Sequence, residues 1–90
     1  MTRTPVKSSN IAAIAHDATA QRLEVQFAPN RLGESSVYEY YGVGEPTFEE
    51  LAAASSIGRA FKFIRDAYPC RKIAEIGPDG IERPVEAVVS

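Results

Sequence analysis

Arg59, Lys62, Arg65, Arg71 and Lys72 place five cations in a window that holds one acid, Asp66. Basic side chains gathered in this way do one kind of chemistry well. They neutralise phosphates, with an affinity that falls steeply as salt rises. Phe63 stands among them, and by helical spacing it neighbours Arg59 rather than the apolar stripe of the same segment. An exposed aromatic beside cations suits stacking on an unpaired base, worth about 1–3 kcal/mol per base. Tyr38 and Tyr40 offer a second stacking surface, because residues two apart on a strand share a face. Each feature also has a plainer explanation. The cations fit the solvated side of an amphipathic helix, and the tyrosines fit a layer packed under helices.

Two serine groups could present hydroxyls and backbone amides to an anion: Ser8-Ser9-Asn10 and Ser55-Ser56-x-Gly58. The second precedes a helix, whose dipole favours negative charge at that end, although capping alone accounts for Ser56. A nucleophile set is not apparent. His16 is the only histidine and Cys70 the only cysteine. Asp17 follows His16 directly, and neighbours on a strand point to opposite faces. No catalytic residues are assigned, and the chain reads as a non-enzyme. A metal site would need more His, Cys or clustered carboxylates than appear here. No glycine-rich phosphate loop is present, so no cofactor is expected.

Ninety residues make one small domain with a modest core. The net charge of −2 argues against attraction of a polyanion by the molecule as a whole. Between Asp17 and Glu50 seven acids face only Arg22 and Arg31, so any electrostatic footprint lies in the later basic window. A lone cysteine forbids an intrachain disulfide and fits a reducing compartment. Arg3 and Lys7 near the start are followed by no apolar leader segment, and no apolar run approaches a membrane span. A cytoplasmic protein with no membrane partner is the expectation.

The elements that must position these residues follow from periodicity. Ile11 to His16 reads as a strand, although Ile11 and Ile14 do not share strand parity. Asp17 to Ala20 reads as a turn, where Asp and Thr side chains bond local backbone. Gln21 to Phe27 is the clearest strand: Leu23, Val25 and Phe27 alternate with Arg22, Glu24 and Gln26, giving one buried and one wet face. Ser36 to Tyr41 alternates again. Connections this short make the three strands antiparallel. Thr47 to Glu50 reads as a capping box opening a helix that runs to about Ala54. Ser56 caps a second helix from about Ile57 to Ala67, with Ile57, Phe61, Ile64 and Tyr68 on one face, stopped by Pro69. Gly77-Pro78-Asp79-Gly80 is a turn signal between two segments of a tail that is either a hairpin or extended.

Several of these residues together resemble the KTSC domain family. They are Ser8-Ser9 with Ile11 and Ile14, Leu23-x-Val25-x-Phe27, Tyr38-x-Tyr40, Val43, Leu51, Ser56-x-Gly58, Phe61, Ile64-Arg65 and Tyr68-Pro69. The resemblance covers roughly residues 8 to 73. The chain departs from the family pattern at His16, where an aromatic is common, and at Lys62, where an Asn is common. The family is named for its occurrence at the C-terminus of some lysyl-tRNA synthetases, and it also occurs as small bacterial or phage proteins. That context suggests RNA binding.

The expected fold is therefore α+β. A three-stranded antiparallel meander packs against two short helices, with residues 1–7 a flexible N-terminus, 8–73 the domain and 74–90 a tail. Leu23, Val25, Phe27, Leu51, Phe61 and Ile64 form its core. The expected function is a non-enzymatic binding module for RNA, tRNA or single-stranded, in which Arg59, Lys62, Arg65, Arg71 and Lys72 hold phosphates and Tyr40 or Phe63 stacks on bases. Two alternatives stand beside it. One is a protein-interaction or homodimerisation module, with Val85, Val88 and Val89 adding a strand to a sheet edge. The other is a small-molecule or nucleotide binder.

Overall fold

The structure, a computed structural model, describes residues 2–85. Its elements in chain order are β1 (Thr4–Pro5), β2 (Ile11–Asp17), β3 (Arg22–Phe27), β4 (Ser35–Tyr41), α1 (Glu45–Ala53), α2 (Ile57–Ala67), β5 (Cys70–Ile76) and β6 (Glu82–Pro84). The strands form one six-stranded sheet in sequence order, with every neighbouring pair antiparallel. This corrects the three-stranded meander. Residues 4–5 pair with β2, and residues 70–84 supply two further strands beside β4. Neither addition has a long alternating pattern of its own. β1 is two residues long and β6 three, so both exist because a neighbour offers them a ladder.

The turns follow one local rule. A side-chain oxygen at or shortly after the end of a strand accepts from amides two to four residues on, with a left-handed residue close by to reverse the chain. Asp17 Oδ1 accepts from the amides of Thr19 and Ala20, both at 3.1 Å. Asn30 Oδ1 accepts from Leu32 at 2.9 Å and Glu34 at 3.0 Å, with Gly33 at φ +78°. Asp79 Oδ1 accepts from Ile81 at 3.0 Å beside Gly80 at φ +79°.

One face of the sheet carries Ile11, Ile14, Leu23, Val25 and Tyr40, and the two helices bury it with Leu51, Ile57, Phe61 and Ile64. Tyr40 and Phe27 each meet the Phe61 ring edge-on, at 5.2 and 5.6 Å between centroids. Phe27 is only half-buried, while the other five expected core residues are buried. The parity conflict between Ile11 and Ile14 is resolved by a bulge. Ile11 pairs with Phe27 and Ile14 with Val25, so Ala12 is the extra residue and both isoleucines face the helices.

The opposite face is not wet. It holds Ala13, Ala15, Ser35, Val37 and Ala74, all buried, together with Glu24 and Glu39 at 8% and 9% exposure. Neither helix of the described residues covers them. The sheet curls over this face, helped by the bulge at Ala12 and a second between Val37 and Tyr38. Small side chains permit the curl. Its extent is visible in one residue: Arg3, just before β1 at one edge, bonds to Glu24 on β3 and to Glu82 on β6 at the other edge. Its Nε also donates to Gln26 Oε1 at 3.2 Å. The guanidinium thus clasps two edges that a flat sheet would hold about 24 Å apart, five strand spacings.

The helices connect β4 to β5. α1 begins earlier than its sequence suggests. Gly44 is the N-cap without a side-chain bond, and Pro46 lies in the first turn. Thr47 is therefore inside the helix, and no capping box forms. Proline outweighs the box here because its ring presets the helical φ and its missing N–H would have had no partner. α2 spans Ile57–Ala67, with Ser56 Oγ accepting from the Arg59 amide at 3.4 Å, and Tyr68 leaves the helix extended at φ −119°, ψ 141° ahead of Pro69.

Candidate nucleic-acid interface

The start of α2 faces the turn that leads into β2. Ser8 Oγ accepts from the amides of Asn10 and Ile11, at 3.2 and 3.3 Å, which leaves its proton free to donate outward. Gly58 sits directly opposite. A Cβ there would lie 3.4 Å from Ser8 Oγ and 3.8 Å from Asn10 Nδ2, in ordinary contact with the turn, so the helix start and the turn are close neighbours. The two serine groups, 46 or more residues apart in sequence, become the two walls of one cleft of about 320 Å³. Lys7, Ser8 and Ser9 form one wall, and Ser55, Ser56, Arg59 and Lys62 the other. The amides of Ile57 and Gly58, in the first turn of α2, have no intrahelical acceptor. Three cations, at least four hydroxyls and open amides therefore converge on one space. Lys7, Arg59 and Lys62 are exposed, and among the described residues none has a carboxylate within ion-pair distance.

The basic window divides. Arg59 and Lys62 line the cleft. Arg65 stands one turn beyond Lys62, its Nε donating to Asp66 Oδ1 at 3.3 Å. Lys72 pairs with Glu75 at 3.0 Å. Arg71 lies opposite Glu39 on the curled face, away from the helices. Five cations close in sequence thus point in several directions, because a strand follows the helix. Lys7, which the window omitted, takes their place. Its only sequence signal is that it adjoins Ser8-Ser9.

The aromatics divide too. Tyr40 is 3% exposed and belongs to the core, so its ring is not open to a base. Burial above all, and then the neighbouring Cys70 thiol, push its hydroxyl up to about 12. Tyr38 is half-buried and meets Phe27 edge-on at 5.6 Å. Phe63 is 80% exposed. It borders a second groove, of about 310 Å³, between the helices with Thr47, Glu50, Leu51, Ala60 and Ile64.

His16 faces the helices, stacked on Phe48 at 4.6 Å, with Nε2 2.7 Å from the Val43 carbonyl oxygen. Cys70 lies on β5, with β3 and β4 between it and the strand of His16. The two are not brought together. No group of three or more His, Cys, Asp and Glu side chains suited to a metal occurs among the described residues. Val85 is exposed, and its amide donates to the Ile73 carbonyl at 2.9 Å. Val88 and Val89 lie outside the described residues. No helix among the described residues is long and apolar enough to cross a membrane.

The fold and the cleft can be set beside known proteins. The family model for the KTSC domain matches residues 7–68, a span that begins at Lys7 and takes in both serine walls. The chain belongs to the KTSC domain family. A crystal structure of a KTSC domain protein from Yersinia pestis superposes with a TM-score of 0.69 at 38% identity, covering 80% of this chain and 96% of that one. No curated protein matches. In this KTSC domain the matched span ends at Tyr68, so β5 and β6 lie beyond it.

Proposed function

We propose that this KTSC domain is a non-enzymatic binding module whose ligand is RNA, held by its phosphates in the cleft between the Ser8 turn and α2. The observation that carries the reading is the convergence of Lys7, Arg59 and Lys62 on hydroxyls from two distant segments, with no acid paired to them among the described residues. Lys7, Arg59 and Lys62 neutralise phosphates, and Ser8, Ser9 and Ser55 donate to phosphate oxygens. Phe63, one helical turn from Arg59, is the aromatic available for stacking. Arg65 extends the basic track along α2. The net charge of −2 makes this a local interaction, so affinity depends on the cleft rather than on the whole surface. The lone Cys70 fits a cytoplasmic setting, where thiols stay reduced.

The test is fluorescence anisotropy of labelled tRNA and of a short single-stranded RNA, titrated at low and near-physiological salt. Binding should weaken with salt, and Arg59→Ala with Lys62→Ala should lower the salt slope by about two, one per lost phosphate contact. Absence of binding at low salt, or a folded double variant that binds as the parent does, would remove the reading. If Phe63→Ala leaves RNA binding intact but changes the mass in solution, the groove beside Phe63 is a protein contact instead.

A further inference from the structure

On its N-terminal side the wall of the cleft that carries Lys7, Ser8 and Ser9 is held by very little backbone, whereas on its other side it runs straight into β2, with the Asn10 carbonyl accepting from the Ala28 amide at 2.9 Å. β1 contributes two residues, Thr4 opposite Ile14 and Pro5 opposite Ala13, and Pro5 has no N–H to give. One further backbone bond, Val6 N–H to the Ala12 carbonyl at 3.1 Å, precedes Lys7. Against this short ladder stands Arg3. Its side chain is 14% exposed, and all three of its nitrogen groups are engaged: Nη1 with Glu24, Nη2 with Glu82 and Nε with Gln26. A planar fork with each arm bonded fixes orientation as well as position. The residue lies on the curled face of the sheet and does not line the cleft.

We propose that Arg3 is the positioning residue of the cleft. By clasping β3 and β6 it holds the segment that presents Lys7 and the Ser8 turn to α2. It contributes to phosphate binding without touching the ligand. This rests on the reading of the cleft as an RNA site. The mechanism is entropic. Freed from the clasp, the first residues fray from a two-residue edge strand, and Lys7 spends its time away from the phosphate. Glu24 is in turn held in place by Arg3, while Glu39, in register with it on β4, leans on Arg22 at 3.9 Å.

The test uses the whole chain and four variants: Arg3→Ala, Lys7→Ala, the two together, and Glu82→Gln, which loosens one arm of the clasp and leaves Glu24 engaged. RNA affinity is followed across salt, and amide exchange is followed at Val6 and in α2. Lys7→Ala should lower the salt slope by about one. Arg3→Ala should lower it by the same amount although Arg3 meets no phosphate, and the double variant should lose no more than either alone. Glu82→Gln should shift it in the same direction by less. Exchange in Arg3→Ala should quicken more at Val6 than in α2, whose amides follow only the change in global stability. An unchanged slope in Arg3→Ala, or full additivity in the double variant, would overturn the proposal. If the parent chain binds no RNA, the RNA reading falls. The clasp is then judged by exchange alone, and equal protection of Val6 with and without Arg3 would end it too.

Discussion

The two faces of the sheet are buried by opposite means. The helix-covered face uses bulk: Leu23, Val25, Ile14 and Tyr40 against Leu51, Phe61 and Ile64. The curled face uses smallness and charge: Ala13, Ala15, Ser35 and Ala74 let the strands bend, and Arg3 with Glu24 and Glu82 closes the gap. One face is stabilised by the area it removes from water, the other by satisfying polar groups that the curl has already taken from water. They should fail differently.

The largest difference comes from the first face. Phe61→Ala removes a ring that both Phe27 and Tyr40 meet edge-on, and should cost about 3–5 kcal/mol in urea denaturation. A loss below 1 kcal/mol would move Phe61 out of the core. On the second face, Glu24→Ala leaves the Arg3 guanidinium without its most buried partner and should cost about 1–3 kcal/mol. Arg3→Met combined with Glu24→Leu should lose less than Glu24→Ala alone, because no buried charge then stands unpaired. Equal losses in both variants would mean that the second face, too, depends on area rather than pairing. The third difference is silent at neutral pH. Tyr40 is raised from 10.0 to about 12, burial first and Cys70 next, so the fold favours its neutral phenol. That contribution is complete below the unfolded value of 10.0 and is lost as pH climbs towards about 12. Phenolate absorbance in alkali should show a late step to which Tyr41, raised by burial first and then by Glu39, also contributes; the part that accompanies the loss of circular dichroism belongs to Tyr40, and Tyr40→Phe should remove it.

The faces also differ in how far they could be read from sequence. Leu23, Val25 and Phe27 announce the helix side by alternation, and α2 announces itself through Ser56, the spacing of Ile57, Phe61 and Ile64, and the stop at Pro69. Period two assigns Glu24 and Gln26 to the other side correctly, but it cannot say whether that side meets water. Curvature decides that, and it depends on bulges at Ala12 and in β5 that leave no periodic trace. β1 was illegible because two residues carry no pattern, while the Gly77–Gly80 turn signal marked the β5–β6 hairpin as one of two alternatives that three residues of β6 could not decide. For the cleft, both serine groups were visible as anion-suited segments, yet their meeting is a tertiary fact. Grouping charges along the chain then joined Arg71 and Lys72 to a helix they leave, and passed over Lys7, which reaches the same space from the other end of the domain.

The Arg3 clasp has a bearing on how the chain is assembled. Every strand pairing joins strands adjacent in order, and all but β4 with β5, which are separated by the two helices, form over a short connection. Arg3 and Glu82 are 79 residues apart and can meet only after all the turns between them have formed. A contact with so large a closure cost arrives after the folding barrier rather than before it. It does nothing to start the fold and a great deal to keep it from reopening, a latch whose worth is measured in the lifetime of the folded state rather than the speed of reaching it.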